Sequence, residues 1–327
     1  MLSKKGIWHF LLQPLQLIIL LTLLQLFVAL LSNNLTFTHE EAMWQYVGRN
    51  WFRNGLAPYS GGVDNKSPLI FAIFGLSDKL LGVNFWFPRI IGTFCQSVGL
   101  YFVYKIAKHV AGEHAGVFAV TLYGLSLLWK NTGGSYVSFT ETYAVMFIII
   151  AFYCYITALK KKDLFISGIL AGFGLGFRLS ACFGIIAIFI SAMRKNIRSA
   201  ILFSIGVLAG ATAVAIFLSL SGINLHDFLT YGFTDNFGAG SATDYNVLSR
   251  LQRFIETFFY SELILFYPFV IGYFFIRKKI DFITVWFICE FIGINVLGIY
   301  ARNHFKDILP ALSFMSGICL ALSLIHI

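Results

Sequence analysis

The chain concentrates its reactive side chains in one short segment between two long apolar runs. Residues 38–68 hold an adjacent carboxylate pair, Glu40 and Glu41, and the ammonium group of Lys66, among many aromatic residues. A carboxylate held at low dielectric near a membrane surface can act as a general base toward a hydroxyl group. A lysine at the start of the following helix can hold a phosphate as a point charge. This combination favours chemistry on a lipid headgroup.

Each of these residues also has a structural interpretation. Glu40 and Glu41 fit the first turn of a helix, where carboxylates interact favourably with the helix dipole and cap backbone N–H groups. Lys66 fits a lysine that extends its ammonium group from an apolar surface into water. The residue types alone leave both interpretations open.

The composition predicts a polytopic membrane protein. Of 327 residues, 58% are hydrophobic and only 12% are charged, with a mean hydropathy of +0.79. Soluble domains have about 45–50% apolar and about 25% charged residues. The net charge is +9, but the basic residues fall between apolar runs, so we expect membrane lipids and lipid phosphates as partners and no nucleic acid. The five cysteines lie inside apolar segments without metal or disulfide spacing.

The apolar runs predict an all-α bundle of about eleven transmembrane spans within one integral membrane domain, residues 1–327. About 20 apolar residues cross a bilayer as a helix. The candidate spans are 13–32, 67–83, 86–104, 114–130, 141–159, 164–179, 181–193, 199–220, 259–276, 280–300 and 308–327. The two short runs between 164 and 193 also fit a hairpin that does not cross fully.

The basic residues predict the orientation of this bundle. Tight clusters of lysine and arginine precede the first candidate span and follow the third, fifth, seventh and ninth, all on one side of the alternation. The positive-inside rule assigns that side to the cytoplasm. The N-terminus is then cytoplasmic, and the long loops 33–66 and 221–258 are outside and form the active-site side. A bacterial plasma (inner) membrane fits the high Phe, Ile and Leu content.

Helical spacing appears inside the first outer loop and inside the sixth span. Trp44, Val47 and Trp51 recur at helical intervals, which predicts an interfacial amphipathic helix before the breakers of residues 54–62. The glycines of the sixth span superficially resemble a nucleotide-binding loop, but no strand precedes them. The four-residue spacing of Gly168, Gly172 and Gly176 instead predicts close helix packing.

Three short motifs follow one another in the first outer loop: His39-Glu40-Glu41-Ala42, Gly55-x-x-Pro58-Tyr59 and Asp64-x-Lys66-x-Pro68-Leu69. Their order resembles the first outer loop of membrane glycosyltransferases of the GT-C class, in particular the bacterial protein-mannosyltransferase and aminoarabinose-transferase group (glycosyltransferase family 39 and its neighbours). The segment around Glu141 and the segment 304–310 resemble later parts of the same family.

The resemblance implies a glycosyltransferase that moves a sugar from a polyprenyl-phosphate carrier to a cell-envelope glycan, lipid or protein on the extracytoplasmic face. The family's leading acidic residue, the catalytic base, matches Glu40. The family usually has Asp there, so Glu40 and Glu41 both stay candidates. The family's lysine that contacts the carrier phosphate matches Lys66. A single displacement that inverts the anomeric centre is what the resemblance implies.

Other polar residues of the predicted outer side supply further candidates. The candidates for binding the donor phosphate are Arg178, Arg250, Arg302 and His304. The candidates for binding the substrate are Tyr59, Asp64, Glu141 and Tyr231. An intramembrane arginine usually faces a cavity or a partner, and the glycine-rich loop 221–258 fits a lid. The structural alternatives are an interfacial snorkelling arginine, a helix cap at Glu141 and a plain solvated loop.

No metal site or cofactor is predicted, since no His or Cys cluster has metal spacing. A divalent cation held by Glu40, Glu41 and Asp235 is left open. The alternative function is a transporter or flippase of lipid-linked sugars, for which we expect internal repeats and broken helices near the midplane. No repeat is visible in the sequence. A noncatalytic assembly partner, which tolerates loss of both glutamates, is the third hypothesis.

Overall fold

The computed structural model describes residues 13–32, 38–129, 138–234, 247–259, 261–298, 300 and 302–325. Within these ranges all regular structure is helical, and no residue belongs to a strand. The predicted all-α fold class is therefore confirmed.

Fourteen α-helices follow one another along the described ranges. They are α1 (Pro14–Leu31), α2 (His39–Asn54), α3 (Leu69–Leu81), α4 (Trp86–Ala111), α5 (Glu113–Ser126), α6 (Thr140–Ile156), α7 (Lys161–Phe177), α8 (Cys182–Lys195), α9 (Ile197–Leu220), α10 (Leu225–Leu229), α11 (Val247–Phe259), α12 (Tyr267–Arg277), α13 (Phe282–Leu297) and α14 (Leu309–Ile325). Short 3₁₀ segments occupy Leu179–Ala181, Glu262–Phe266 and Arg302–Lys306, and a π-helical turn occupies Thr230–Thr234.

Each of the eleven predicted apolar runs coincides with helix. The run at 259–276 is divided between a 3₁₀ segment and α12. By length and composition, α1, α4 and α9 can each cross a membrane, and α11 with the segment up to Arg277 forms a fourth candidate bent by 49°. The chain is a multi-pass membrane protein, and the total of eleven spans stays a prediction.

Helix α2, the predicted amphipathic helix, begins at His39. The Thr38 hydroxyl accepts from the Glu41 backbone N–H (3.2 Å), and the Glu41 carboxylate accepts from the Thr38 N–H (3.2 Å). This capping box satisfies two backbone groups that a helix start leaves without partners. Gly55 ends the helix at a φ of 69°, a left-handed conformation that glycine adopts without strain.

Glycines allow α7 and α9 to touch through their backbones. A Cβ atom on Gly168 would lie 2.1 Å from the Phe203 carbonyl oxygen, and one on Gly206 would lie 2.2 Å from the Phe165 carbonyl oxygen. The close packing predicted from the glycine spacing is confirmed, with Gly206 of α9 as an unpredicted partner.

Helix α6 belongs to both apolar cores of the described structure. Tyr143, near its start, packs in the smaller core built on α2 and α3. Phe152, two to three turns later, packs in the larger core, where its ring stacks on Trp286 of α13 at 3.8 Å between centroids. The first turn of α6 therefore lies next to the segment that the sequence predicts to carry the chemistry.

The predicted outer loop 221–258 contains more regular structure than its glycines indicate. It includes α10, the π-helical turn and most of α11, and residues 235–246, with Asp235, lie outside the described part. Apolar residues recur along α11 at helical spacing, a helix signal that the two sequence-based interpretations of this segment, a lid and a plain solvated loop, did not include.

The α7–α9 contact makes a stability prediction. Gly206→Val should lower the stability of the detergent-purified protein by about 1–3 kcal/mol, because the added carbons overlap the Phe165 carbonyl and force the helices apart. Ala213→Val places the same side chain on an exposed position of α9 and should have little effect. The measurement is the midpoint of thermal unfolding; equal midpoints for the two variants would contradict the packing account.

Candidate functional site

Glu40 lies half-buried in the first turn of α2. Burial is the main cause that raises the pKa of its carboxyl group above the ordinary value. The positive charge of Lys66 opposes this shift, and the Glu141 carboxylate adds to it. Asp64 also raises the pKa, and Arg178 lowers it. These four charges, from three different parts of the chain, therefore surround Glu40 at one end of the bundle.

The neighbouring Glu41 is fully buried and held in an ion pair. Its two carboxylate oxygens accept from Arg89 of α4, one from Nε at 2.9 Å and the other from Nη2 at 2.6 Å. Arg89 is equally buried, and its Nη1 donates to the Ser32 carbonyl oxygen at 2.7 Å. This bidentate geometry fixes the start of α2 against α4 and the end of α1.

The loop before α3 is tied down around Lys66. The Lys66 ammonium group donates to the side-chain oxygen of Asn65 at 3.0 Å. The Tyr59 hydroxyl donates to the Lys66 carbonyl oxygen at 2.7 Å, and the Trp44 indole N–H donates to the Asp64 carboxylate at 3.0 Å. A tyrosine and a tryptophan thus set the course of the backbone that presents the lysine.

Tyr59 and Tyr231, both predicted to bind substrate, stack on each other with ring centroids 6.1 Å apart. Tyr59 is buried and has a φ of 72°, a left-handed conformation that is uncommon outside glycine and that surrounding structure must stabilise. Burial raises the pKa of its hydroxyl group, so the phenol stays protonated as a hydrogen-bond donor. The pair joins the first outer loop to the turn after α10.

Glu141 anchors a second charged group at the start of α6. It is fully buried and forms an ion pair with Arg178, the residue that ends α7. It also accepts from Asn303 Nδ2 at 2.7 Å and from the Thr140 hydroxyl at 3.0 Å. The predicted substrate residue Glu141 and the predicted phosphate residue Arg178 are therefore partners of each other.

Two further carboxylates lie behind Arg178. Asp307 Oδ2 is 3.5 Å from Arg178 Nε and accepts from the Ser180 hydroxyl at 3.2 Å. Glu290 of α13 accepts from the Trp286 indole N–H at 3.1 Å. Glu290 and Asp307 both line a cavity of about 10 Å³, about the volume needed for one water. This part of the site is closed.

The 3₁₀ segment Arg302–Lys306 covers the same end of the bundle. Lys306 is fully buried, donates to the Thr142 hydroxyl at 3.0 Å and lies 5.3 Å from the ring centre of Phe139. Burial lowers its pKa to about 8. His304 Nδ1 is buried without a hydrogen-bond partner in the described structure. Burial, with the charge of Arg178, lowers the pKa of His304 to about 3, so the imidazole is neutral.

The structure brings several of the predicted site residues close to one another. Lys66 acts electrostatically on both Glu40 and His304, so the first loop and the 3₁₀ segment lie near each other. Arg250 lies beside the start of the α13–α14 connection, with Nη1 3.7 Å from where a Cβ atom of Gly298 would be. The side chain of Arg302 falls outside the described residues. These roles stay predictions.

Sequence reasoning missed Arg89 and did not pair Asp307 with Arg178. A signal for Arg89 was available, because a charged residue inside an apolar run needs a partner. Nothing in the sequence names Glu41 as that partner, 48 residues away.

In the part of the chain that is described, no three His, Cys, Asp or Glu side chains converge to form a metal site. Glu41 is committed to Arg89, which leaves fewer carboxylate oxygens for a cation near Glu40. Asp235 is outside the described ranges.

Several solved structures have the same fold as this chain. ArnT from Cupriavidus metallidurans bound to undecaprenyl phosphate superimposes with a TM-score of 0.66 at 13% identity, over 94% of this chain and 60% of ArnT. Apo ArnT from the same organism superimposes with a TM-score of 0.67 at 15% identity, over 94% of this chain and 59% of ArnT. The oligosaccharyltransferase of Archaeoglobus fulgidus, tethered with an acceptor peptide, superimposes with a TM-score of 0.54 at 12% identity. The match covers 96% of this chain and 49% of the oligosaccharyltransferase. The chain has the helical membrane fold of GT-C glycosyltransferases.

The sequence comparison narrows the class. Residues 65–221 match the dolichyl-phosphate-mannose-protein mannosyltransferase family. The GT-C resemblance of the protein-mannosyltransferase and ArnT type is therefore confirmed, and the transporter alternative is not favoured. No curated protein sequence matches the chain, which spans about three fifths of the length of ArnT.

The buried pair at the start of α2 makes a prediction about stability. Glu41→Gln should destabilise the fold by about 3–5 kcal/mol, because it leaves the Arg89 charge buried without its counter-charge. Arg89→Met should lower the free energy of unfolding by a similar amount. The loss of stability in the double variant should be clearly smaller than the sum of the two single losses, since both single variants break the same pair.

Thermal or denaturant unfolding of all four proteins measures this coupling. Glu113→Gln, which disrupts an exposed pair with Lys108, is the control and should change stability by at most about 1 kcal/mol. Additive effects of the two buried substitutions would refute the coupling.

Proposed function

We propose that this protein transfers a sugar from a polyprenyl-phosphate carrier to an acceptor hydroxyl group on the extracytoplasmic face of a bacterial plasma membrane, with its N-terminus in the cytoplasm. The observation that carries the proposal is the half-buried Glu40 carboxylate, which lies near enough to the Lys66 ammonium group for that charge to lower its pKa. A base and an anion-binding cation at one site are what this transfer needs. The ArnT structure with undecaprenyl phosphate supports a lipid-phosphate donor.

In the proposed reaction, Glu40 removes the proton of the acceptor hydroxyl group. The acceptor oxygen then forms a bond to the anomeric carbon of the sugar as the bond from that carbon to the phosphate oxygen breaks. The electron pair leaves with the carrier phosphate, and the charge of Lys66 stabilises the additional negative charge. A phosphate leaving group is already acidic, so no second carboxyl group is required to protonate it.

The proposal assigns Glu40, and not Glu41, as the base. Both oxygens of Glu41 accept from Arg89, and this ion pair keeps its carboxylate from an acceptor. Among the residues that the structure describes, none forms an ion pair with Glu40, and its raised pKa makes it a stronger base than an exposed glutamate. Glu41 then serves to position α2.

The first test is Glu40→Gln in purified protein with a panel of undecaprenyl-phosphate sugars and candidate acceptors. Transfer should fall by about 10²–10⁴-fold, because the amide cannot accept the proton. Binding of the donor should stay within a few-fold of the unsubstituted protein. Glu113→Gln should leave transfer unchanged. Normal transfer by Glu40→Gln would rule out Glu40 as the base.

The pH dependence is a separate test. Glu40 acts as the carboxylate, so activity should fall as the pH drops through its pKa, which lies above the ordinary value. Lys66→Met removes a charge that lowers this pKa, and should therefore move the acid limb of kcat to higher pH and weaken donor binding. Asp64→Asn removes a charge that raises the pKa and should move the limb to lower pH.

These shifts are measured as kcat against pH at saturating donor. Lys79→Met, an exposed lysine on α3, should leave the profile where it is. If Lys66→Met and Lys79→Met give the same acid limb, Lys66 does not act on the base.

A further inference from the structure

A large apolar cavity lies between α11 and the last three helices. Its volume is about 290 Å³, and its lining residues are all apolar or aromatic. Phe254, Phe258 and Phe259 of α11 form one wall, and α12, α13 and α14 form the others. The hydroxyl group of the lining residue Tyr267 donates to the Phe258 carbonyl oxygen, so the cavity is suited to hydrocarbon.

The mouth of the cavity opens toward the bilayer. Phe259 is 51% exposed and Ile271 of α12 is 56% exposed, and both line the cavity. Helix α12 belongs to a candidate membrane span, and Phe275, on another part of its surface, is 75% exposed. The medium that covers such a helix surface is lipid hydrocarbon, so the same medium meets the mouth.

Helix α11 presents apolar residues to the same medium. Leu248, Leu251 and Ile255 are exposed along one side of it, whereas Arg250 and Arg253 are half-buried on another side. A helix with this distribution is placed in the membrane interface with its apolar side toward acyl chains. It forms the outer wall of the cavity and lies between the bilayer and the helical bundle.

We propose that this cavity binds an acyl chain of a bilayer phospholipid, which enters beside α11 and fills the space between α11 and α12–α14. Without an occupant, the cavity would leave ring faces without contacts, which is costly for an apolar void of this size. The bound chain packs on Phe258 and Phe291 and stabilises the position of α11. The site goes beyond the proposed transfer reaction and does not depend on it.

The loop carrying Lys66 packs with the smaller core and the cavity with the larger one. We assign the cavity to a second lipid, distinct from the donor, because its mouth opens directly to bilayer phospholipid. Undecaprenyl phosphate, the other hydrocarbon source, should not compete for the cavity.

The experiment uses the full chain in nanodiscs of phosphatidylglycerol and phosphatidylethanolamine with a trace of phospholipid carrying a diazirine in its acyl chain. After irradiation, labelled peptides are identified by mass spectrometry. We expect labelling within 254–259 and 270–271. Ile271→Trp, which fills the mouth, should reduce it at least fivefold, and Phe259→Trp should reduce it from the opposite wall. Ile276→Trp, an exposed position of α12 outside the lining, should leave it unchanged.

Two results would overturn the proposal. One is labelling that is unchanged in both Ile271→Trp and Phe259→Trp. The other is loss of labelling on addition of undecaprenyl phosphate, which would assign the cavity to the carrier lipid. The labelling is repeated in Glu40→Gln, where transfer is lost under the proposed function but the cavity is intact, so the two proposals fail independently. Thermal unfolding midpoints confirm that each variant is folded.

Discussion

The geometry of the candidate site depends on the buried ion pair between Glu41 and Arg89. Moving two charges out of water costs several kcal/mol for each ion, and only close, fully hydrogen-bonded contact offsets that cost. Here the contact is bidentate, and Arg89 also binds the carbonyl oxygen that ends α1. The start of α2 therefore has a defined position. Glu40, one residue earlier and about 100° around the helix, lies where the charge of Lys66 lowers its pKa.

The cations of the site differ in what they are free to bind. Arg178 is paired with Glu141 and lies close to Asp307, so a phosphate would compete there with two carboxylates. Lys66 donates to a neutral amide, which a phosphate can replace at little electrostatic cost. This difference favours Lys66 as the phosphate-binding residue and gives Arg178 a role in joining α6, α7 and the segment before α14.

The bilayer imposes the other constraint on this molecule. The buried charges Glu41 and Glu141 are each paired with an arginine, Arg89 and Arg178 respectively, and many exposed helix surfaces are apolar. Under this constraint α11 exposes leucine and isoleucine while its arginines are half-buried. A cavity lined by phenylalanine can persist beneath it because lipid chains, and not water, are adjacent.

The sequence alone determined the helical fold class, the position of the eleven apolar runs that coincide with helix, and Glu40 and Lys66 as candidates. Hydropathy and motif order are local properties, and backbone groups in a bilayer must form helices. Only the tertiary structure paired Glu41 with Arg89 and Glu141 with Arg178. Those outcomes depend on contacts between residues 37 to 48 positions apart or more, and no local pattern encodes which buried charge meets which.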